Sequence, residues 1–341
     1  MFKKKEKPKK KKKVDKLGVF LMAMILVGYY ILMFPTSADL LNKIMNQNTI
    51  NAYNASMVSY SDDDIATMKK KLVDYNEEIY ESEKTTVFRY KGPNATDETY
   101  TSLPTASDEI GTVRIPSINV NVPFVHGTKD SSLQSEAGHL YGTSFPIDGD
   151  NVHAVIAAHS ALQTAKLFTD LTKVKVGDKF YVTVLNTEYE YKVDQIKTVL
   201  PEDDYQYEQI EEGKNYVTLY TCTPYGINTH RLLVRGELIG SKEVSSEDNS
   251  KWSGLLTIIK YSAELAGVLL LPFILMWLYR LKVNHDIKKK EKNKKNGNSS
   301  KKIEKEKDIS QLTTIDTILD TSSVDDDVGI DIDISGENNS P

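Results

Sequence analysis

The single cysteine of this chain lies where a β-strand pattern ends. From Tyr216 to Cys222, β-branched and aromatic residues alternate with a period of two, and Pro224 then breaks the pattern. A second strand pattern begins soon afterwards at Arg231, and an earlier one ends at His159. A thiol, an imidazole and a guanidinium that meet at one edge of a β structure could perform nucleophilic acyl transfer.

Each of these side chains has a distinct role in such a reaction. A thiol has an ordinary pKa of about 8.5, so a cysteine is a weak nucleophile unless a base or cation favours the thiolate. His159 could take the proton of Cys222 and later give it to a leaving amine. Arg231 could stabilise an oxyanion, because a guanidinium stays charged at any relevant pH. Thr221, next to the cysteine, is a candidate substrate-binding residue.

Other interpretations of these residue types remain open. A free cysteine is most often a small buried hydrophobic residue. Arg235 competes with Arg231, since it shares the strand face but lies roughly 13 Å further along. No group of residues has metal-ligand spacing, so neither a metal site nor a cofactor is expected. Five other histidines compete for the role of base, and a structural or solvated role is expected for each: His126, His139, His153, His230 and His285.

A β framework must position these side chains. From residue 110 onward the sequence has short period-two segments separated by Gly, Pro, Asn and Asp, a pattern typical of a closed sheet or sandwich. One short helix is predicted, Thr164–Leu171. The predicted strands are Gly111–Ile115, Val120–Val125, Val152–Ala157, Lys179–Leu185, Tyr189–Thr198, Tyr216–Cys222 and Arg231–Leu238.

Three blocks of the sequence resemble one enzyme family. The block Thr-Leu-Tyr-Thr-Cys-Thr-Pro-Tyr-Gly-Ile-Asn-Thr-His-Arg-Leu-Leu-Val-Arg-Gly, at 218–236, is similar to the signature around the catalytic cysteine of sortases, in particular of the pilus-assembling class C. Ala-Gly-His-Leu-Tyr-Gly-Thr-Ser-Phe-Pro (137–146) and Ala-Lys-Leu-Phe-Thr-Asp-Leu (165–171) also resemble class C. The resemblance covers about 110–239.

The resemblance implies a fold and an activity. The fold would be mainly β, an eight-stranded sortase barrel with short helices, and the catalytic residues would be Cys222, His159 and Arg231. A sortase cleaves a Leu-Pro-x-Thr-Gly-like sorting signal between Thr and Gly and passes the acyl group to an amine. For class C, that amine is a lysine of a pilin subunit.

Two positions depart from the class C pattern. Many members carry an Asp-Pro-aromatic lid over the active site, and no such tripeptide occurs here; Asp97 and Tyr100 are candidates for a related part. The histidine block of class C usually reads His-Arg-Gly-Leu, whereas this chain has His159-Ser160-Ala161-Leu162. A hydroxyl therefore replaces a cation beside the predicted base.

Two apolar runs predict membrane helices. Leu17–Phe34 carries no charge and is about long enough to cross a hydrocarbon core; a signal peptide is the alternative. Leu265–Leu278 has aromatic residues near both edges, as an interfacial belt would place them, although a buried helix is the alternative. Lysines flank the outer side of both runs, so the positive-inside rule places both termini in the cytoplasm and the region between them outside the cell.

The region between the first run and the barrel has helical periodicity, interrupted near residue 60. Ser61 is suited to cap a second helix, because aspartates follow it in the first turn. The predicted segments are a basic tail (1–16), a transmembrane helix (17–35), an extracellular helical region with a possible lid or linker (36–109), a catalytic barrel (110–240), a linker (241–254), a second transmembrane helix (255–279) and a charged cytoplasmic tail (280–341).

Composition limits the other functional classes. The net charge is −5, but lysines are concentrated in low-complexity segments near both ends rather than on a predicted folded face, so nucleic acid is not an expected partner. One cysteine excludes an intramolecular disulfide. The tail at 288–307 has few apolar residues and is predicted to be disordered and dispensable for the chemistry.

The sequence therefore predicts a membrane-anchored cysteine transpeptidase on the outer surface of a Gram-positive-type cell. Its expected partners are pilin or surface-protein substrates with a Leu-Pro-x-Thr-Gly-type signal, and the lipid bilayer. Two alternatives remain: a cell-wall-anchoring sortase that uses a peptidoglycan amine, and an inactive surface scaffold held by two anchors.

Overall fold

The structure, a computed structural model, describes residues 16–85, 98–105, 108–244 and 251–319. Eight strands and five α-helices are found in these ranges, together with three short 3₁₀ helices. The helices are α1 (Lys16–Val58), α2 (Asp62–Thr85), α3 (Glu98–Thr101), α4 (Asp130–Leu133) and α5 (Lys251–Leu319). The strands are β1 (Glu109–Ile115), β2 (Val120–His126), β3 (Ala137–His139), β4 (Val152–Ala157), β5 (Lys179–Val184), β6 (Thr187–Val199), β7 (Asn215–Thr223) and β8 (His230–Glu243).

The eight strands close into a barrel in the order β1-β2-β3-β4-β7-β8-β6-β5, which confirms the predicted fold class. Two neighbouring pairs, β2–β3 and β4–β7, are parallel, and the others are antiparallel. Closure pairs every strand on both sides, so the barrel has no open sheet edge. Aliphatic and aromatic side chains fill its interior, among them Val113, Phe124, Ile156, Phe180, Tyr191, Leu219 and Val234.

The predicted strands match the barrel closely, with two differences. Strand β3 was not predicted, because three residues are too few to show a period of two. The helix predicted at Thr164–Leu171 is wrong: the structure has only a 3₁₀ helix at Thr169–Lys173. Leu167 has a φ of 37°, which interrupts a right-handed helix, and the N–H of Lys166 donates to the side chain of Asp39 instead.

The N-terminal helices pack against the barrel. Helix α1 continues well beyond the predicted span, and the hydroxyl of Tyr53 donates to the carbonyls of Ile110 and Leu185 at 3.0 and 3.3 Å. Ser61 caps α2 as predicted: its Oγ accepts the Asp64 N–H at 3.2 Å, and the Asp64 carboxylate accepts the Ser61 N–H at 3.1 Å.

Helix α5 overturns one prediction. Residues 288–307 were predicted to be disordered, whereas α5 is helical through to Leu319. Lysine and glutamate have good helix propensity, and no proline lies within α5 beyond Pro272, so a helix can form here without a core to pack against. The chain separates into two units, Met1–Leu270, which contains the barrel, and Leu271–Pro341, which contains the rest of α5.

Two helical stretches, Phe20–Val58 and Gly254–Ile309, are long and apolar enough to be candidate membrane anchors. The apolar window in each is entirely unburied. A core helix of a globular domain would bury its apolar face, so the buried-helix interpretation of the C-terminal run does not fit.

Candidate active site

The three predicted catalytic residues come from neighbouring strands at one rim of the barrel. Cys222 is the second-last residue of β7 and lies opposite Arg231, the second residue of β8. His159 follows the end of β4, which pairs with the other side of β7. All three are partly exposed and line one cleft of about 320 Å³. Also lining this cleft are Thr128, Asp130, Leu133, Leu140, Ala157, Ala158, Pro201, Asp204, Glu208, Tyr220 and Thr221.

Hydrogen bonds join the histidine segment to the cysteine strand. The N–H of Ala158 donates to the Tyr220 carbonyl at 3.0 Å, which extends the parallel β4–β7 pairing by one residue. The Thr221 hydroxyl donates back to the Ala158 carbonyl at 2.7 Å. Thr221 is buried, so its hydroxyl holds the segment before His159 and faces protein rather than solvent. The proposed substrate contact of Thr221 would therefore come from the part of the residue that lines the cleft.

Ser160, where class C usually has arginine, takes part in the same connection. Its hydroxyl donates to the carbonyl of Cys222 at 2.6 Å, and its side chain is nearly buried. His159 is therefore flanked on both sides by hydroxyl–carbonyl bonds between its segment and β7. The sequence pointed to this position as a departure but gave no sign of the bond, which joins residues 62 positions apart.

Two of the three nitrogens of the Arg231 guanidinium donate hydrogen bonds to the protein. Its Nε–H donates to the Tyr220 hydroxyl at 2.9 Å, and Nη1 donates to the carbonyls of Asn228 and His230 at 3.1 and 3.3 Å. Within the described ranges, Nη2 has no hydrogen-bond partner and no carboxylate lies within ion-pair distance of the side chain. Charged donors therefore remain for an anion in the cleft.

Two acidic residues of the connection between β6 and β7, Asp204 and Glu208, also line the cleft. Asp204 accepts the hydroxyl of Tyr220 at 2.6 Å. Burial raises the pKa of Asp204, although that hydrogen bond and the charge of Arg231 act in the opposite direction. Burial, together with the nearby charge of Asp204, raises the pKa of Glu208 to about 8. At neutral pH the Glu208 carboxyl is thus mostly protonated.

Hydrogen bonds hold the part of the β6–β7 connection that follows Glu208. The imidazole of His153 donates through Nδ1 to the Gln209 carbonyl at 2.7 Å, which leaves Nε2 to accept the Thr218 hydroxyl at 2.8 Å. The Ile210 N–H donates to the Glu83 carboxylate of α2 at 3.0 Å. Asp204 and Glu208 therefore sit on a segment whose far half is anchored.

The histidines that competed with His159 lie elsewhere. Burial lowers the pKa of His153 to about 4 and of His139 to about 3. His139 bonds to the Tyr100 hydroxyl and the Ser144 carbonyl at 3.0 and 2.8 Å. Burial also lowers the pKa of His126 to about 4. None of these three lines the cleft; His230 is only partly exposed beside Arg231, and His285 lies in the exposed part of α5.

Tyr100, one of the two lid candidates, does not cover the cysteine in this structure. Tyr100 is fully buried in an aromatic cluster with the rings of His126, Tyr141 and Phe145 and does not line the cleft. Its hydroxyl also accepts the Gly127 N–H at 2.9 Å, so it fastens α3 to the barrel. Asp97 lies outside the described residues.

Arg235 is engaged in other contacts. Its guanidinium forms ion pairs with Asp194 and Glu211, each at 2.7 Å, and stacks 3.9 Å over the ring of Tyr216. It does not line the cleft. Its charge is neutralised by two carboxylates, and it is therefore poorly placed to act on a substrate.

Comparison with known proteins agrees with this geometry. A family model described as the sortase domain matches residues 113–239. The solved structure titled sortase C1 of GBS Pilus Island 1 is 38% identical, covers 61% of this chain and 98% of its own, and superposes with a TM-score of 0.53. Sortase C1 from Streptococcus agalactiae is 40% identical, with 57% and 98% of the two chains covered and a TM-score of 0.51.

Curated relatives match over part of their length. Sortase A of Bacillus anthracis is 32% identical over 134 residues, which cover 39% of this chain and 61% of that protein. Sortase A of Listeria monocytogenes is 31% identical over 144 residues, 42% of this chain and 62% of that protein. The match thus spans about three fifths of the length of these relatives.

Proposed function

The chain belongs to the sortase family, in class C, and from this premise we propose that it is a membrane-anchored cysteine transpeptidase that joins pilin subunits. One observation carries the proposal: Cys222 and Arg231, on the paired strands β7 and β8, line the same cleft as His159, which follows the end of β4. A nucleophile, a proton carrier and an unneutralised cation are the groups that acyl transfer through a thioester requires.

In the first half-reaction the Cys222 proton passes to His159, and the sulfur attacks the carbonyl carbon of the sorting-signal threonine. A C–S bond forms, and the carbonyl electrons move to the oxygen as an oxyanion. Arg231 donates hydrogen bonds to this oxyanion through donors that the protein leaves unused. The intermediate collapses, the C–N bond to glycine breaks, and the His159 imidazolium gives its proton to the departing amine.

In the second half-reaction an acceptor amine attacks the thioester carbonyl. His159, now neutral, takes a proton from the attacking nitrogen as the new C–N bond forms, while Arg231 again bears the oxyanion. The Cys222 thiolate leaves and recovers its proton from His159. The product is an amide between the threonine carboxyl and the acceptor, and no water is consumed.

The acceptor is proposed to be a lysine of a pilin subunit. Support comes from the match to sortase C1 of GBS Pilus Island 1, over nearly all of that chain, and from the 218–236 block of the sequence. A peptidoglycan cross-bridge amine is the competing acceptor, and it would use the same cleft residues in the same steps.

The membrane arrangement is also a proposal. Both candidate anchors carry lysine-rich segments on their outer flanks, so both termini are placed in the cytoplasm and the barrel outside. On intact cells, external protease is expected to cleave within 36–250, whereas a tag placed after Pro341 is expected to be protected. A tag accessible from outside would contradict the two-anchor arrangement.

The activity is tested with purified full-length protein and a Leu-Pro-x-Thr-Gly peptide, in parallel with Cys222→Ala. We expect turnover by the wild type, none by Cys222→Ala, and an amide product when a pilin lysine peptide is added. A cross-bridge amine that is used much faster than the pilin peptide would favour wall anchoring. Lack of turnover in both proteins would favour the scaffold, and turnover by Cys222→Ala would exclude the thiol mechanism.

A further inference from the structure

Arg231 is connected to a partly buried carboxylate, that of Asp204, through the hydroxyl of Tyr220. The Arg231 Nε–H donates to the Tyr220 hydroxyl at 2.9 Å, and this hydroxyl donates to Asp204 Oδ2 at 2.6 Å. Tyr220 lies two residues before Cys222 on β7, and both partners reach it from outside that strand: Arg231 from β8 and Asp204 from the β6–β7 connection. All three line the catalytic cleft.

The direction of these hydrogen bonds is fixed by their chemistry. An arginine can only donate, the Oδ2 of Asp204 accepts here, and a tyrosine hydroxyl has one proton to give. The short bond to Asp204 uses that proton, so the oxygen of Tyr220 is left to accept from Arg231. Polarisation of the phenol by the carboxylate makes the oxygen a better acceptor, because chains of hydrogen bonds strengthen one another.

The other contacts of Arg231 are local. Nη1 bonds to carbonyls of His230, its immediate neighbour, and Asn228, three residues away in the same turn. Tyr220 is therefore the partner that ties the guanidinium to the strand of the nucleophile. A long side chain loses conformational freedom when it is held in one geometry, so a preformed contact of this kind lowers the cost of presenting the remaining donors to substrate.

We propose that Tyr220 and Asp204 are positioning residues that hold Arg231 with its Nη2 edge available to the oxyanion. This inference rests on the proposed function, since it assigns the device that orients the proposed oxyanion donor. Neither residue touches the reacting atoms, and both act through Arg231. The sequence pattern gives no sign of this series of hydrogen bonds, because Asp204 lies 16 residues before Tyr220, at the start of a short 3₁₀ helix.

The test removes one hydrogen bond at a time in full-length protein. Tyr220→Phe removes the hydroxyl and keeps the ring, Asp204→Ala removes the acceptor, and Asp204→Asn keeps an oxygen acceptor without the charge. Tyr205→Phe and Asp203→Asn are matched controls, because both are exposed residues of the same segment. Kinetic constants for sorting-signal cleavage and the rate of Cys222 alkylation by a small electrophile are measured for each.

We expect Tyr220→Phe and Asp204→Ala each to lower kcat by about tenfold, less than removal of an oxyanion donor itself, with little change in KM. Asp204→Asn should recover part of the loss, and the controls should match the wild type. Alkylation forms no tetrahedral oxyanion, so its rate should stay unchanged. A purely structural role would instead slow alkylation and cleavage together.

A double variant shows whether Tyr220 and Asp204 act through the same series of hydrogen bonds. Tyr220→Phe combined with Asp204→Ala should lose little more activity than Tyr220→Phe alone, because the hydrogen bonds that join Asp204 to Arg231 are already broken once the hydroxyl is gone. Losses that multiply would overturn the proposal, as would a Tyr220→Phe protein with wild-type kcat.

A second readout does not depend on turnover. The chain has five arginines, so the Nε–H resonances of arginine-labelled protein in detergent micelles can be assigned with Arg231→Lys. We expect the Arg231 signal to shift and exchange faster in Tyr220→Phe and in Asp204→Ala, but not in the two controls. An unchanged signal would refute the positioning role. Absence of turnover in the wild type, with the signal shifting as described, would refute the proposed function and leave the hydrogen-bond chain standing.

Discussion

Strand β8 holds the same residue type, arginine, in two opposite environments. Near the start of β8, Arg231, opposite Cys222, is held by a phenol and two carbonyls, and no carboxylate of the described residues lies within ion-pair distance of it. Four residues along the same strand, Arg235 forms ion pairs with Asp194 and Glu211 and stacks on Tyr216.

The difference shows that two arginines on one strand can serve different purposes, one for the reaction and the other for stability. Both arginines lie on one strand face and are equivalent in the sequence pattern. Arg235 is saturated by two carboxylates and connects β8 to β6 and to the β6–β7 connection. Arg231 is oriented by neutral groups that fix its position without cancelling its charge, and this leaves the charge available for a substrate.

Arg231→Lys is expected to give the largest effect. Lysine keeps the charge but loses the planar fork, so acyl transfer should fall by about 10²–10³-fold. Arg235→Lys is the matched control on the same strand and should retain most of the activity. Alkylation of Cys222 by a small electrophile, measured against pH, should be much less affected than acyl transfer. An equal loss in both reactions would mean that Arg231 serves the thiolate rather than the oxyanion.

Ser160→Ala should lower activity less, by about fivefold to tenfold. The substitution removes the hydroxyl that donates to the Cys222 carbonyl, a bond worth about 1 kcal/mol, and loosens the segment that carries His159. Ser241→Ala, at an exposed position of β8, is the control. Steady-state cleavage of a sorting-signal peptide measures the effect; a rate equal to that of wild type would show that this bond does not position the catalytic pair.

Arg235→Ala is expected to act on stability instead. Its paired and stacked side chain is 15% exposed, so its loss should lower the free energy of unfolding by about 1–3 kcal/mol and activity per folded molecule by less than about threefold. Thermal unfolding in detergent, followed by near-ultraviolet circular dichroism, tests this. A stable Arg235→Ala protein with strongly reduced turnover would reverse the roles assigned to the two arginines.

Glu208, which lines the cleft, lowers the stability of the folded protein by an amount that depends on pH. Its pKa in the folded protein is raised to about 8, so the folded state holds a proton that the unfolded state releases near pH 4.5. This carboxyl therefore opposes folding as pH rises above about 4.5, and the full cost is reached above pH 8. Glu208→Gln should stabilise the barrel by up to about 2 kcal/mol at pH 9 and hardly at all at pH 4. Glu212→Gln, an exposed neighbour, should change neither value.

The sequence predicted most of the barrel, because strand alternation is a local property. Seven of the eight strands were placed within a few residues, and the three proposed catalytic residues were located at strand ends. Strand β3 was missed because three residues cannot show a period. The long helix beyond residue 288 was missed because composition alone predicts that a low-complexity charged segment is disordered. Such a segment can nevertheless be helical without any apolar face.

The connections around the site could not be predicted in the same way. The Ser160–Cys222 and Tyr220–Asp204 bonds join residues that are brought together only by the closure of the barrel and the path of an irregular connection. One signal was available: the period of two places Tyr220 on the face of β7 that also carries Cys222. Its significance depends on Asp204, whose position no local pattern indicates.

The central claim is that Cys222 forms a thioester with the sorting-signal threonine in a cleft that it shares with His159 and Arg231. Full-length protein is mixed with a Leu-Pro-x-Thr-Gly peptide without an acceptor amine, quenched in acid and analysed by intact mass and by mapping of digested fragments. We predict an added mass equal to the peptide acyl group up to threonine, located on Cys222, the only cysteine of the chain, and removed by a subsequent amine. Peptide cleavage that proceeds with no adduct on Cys222, or with an adduct on another residue, would contradict the account.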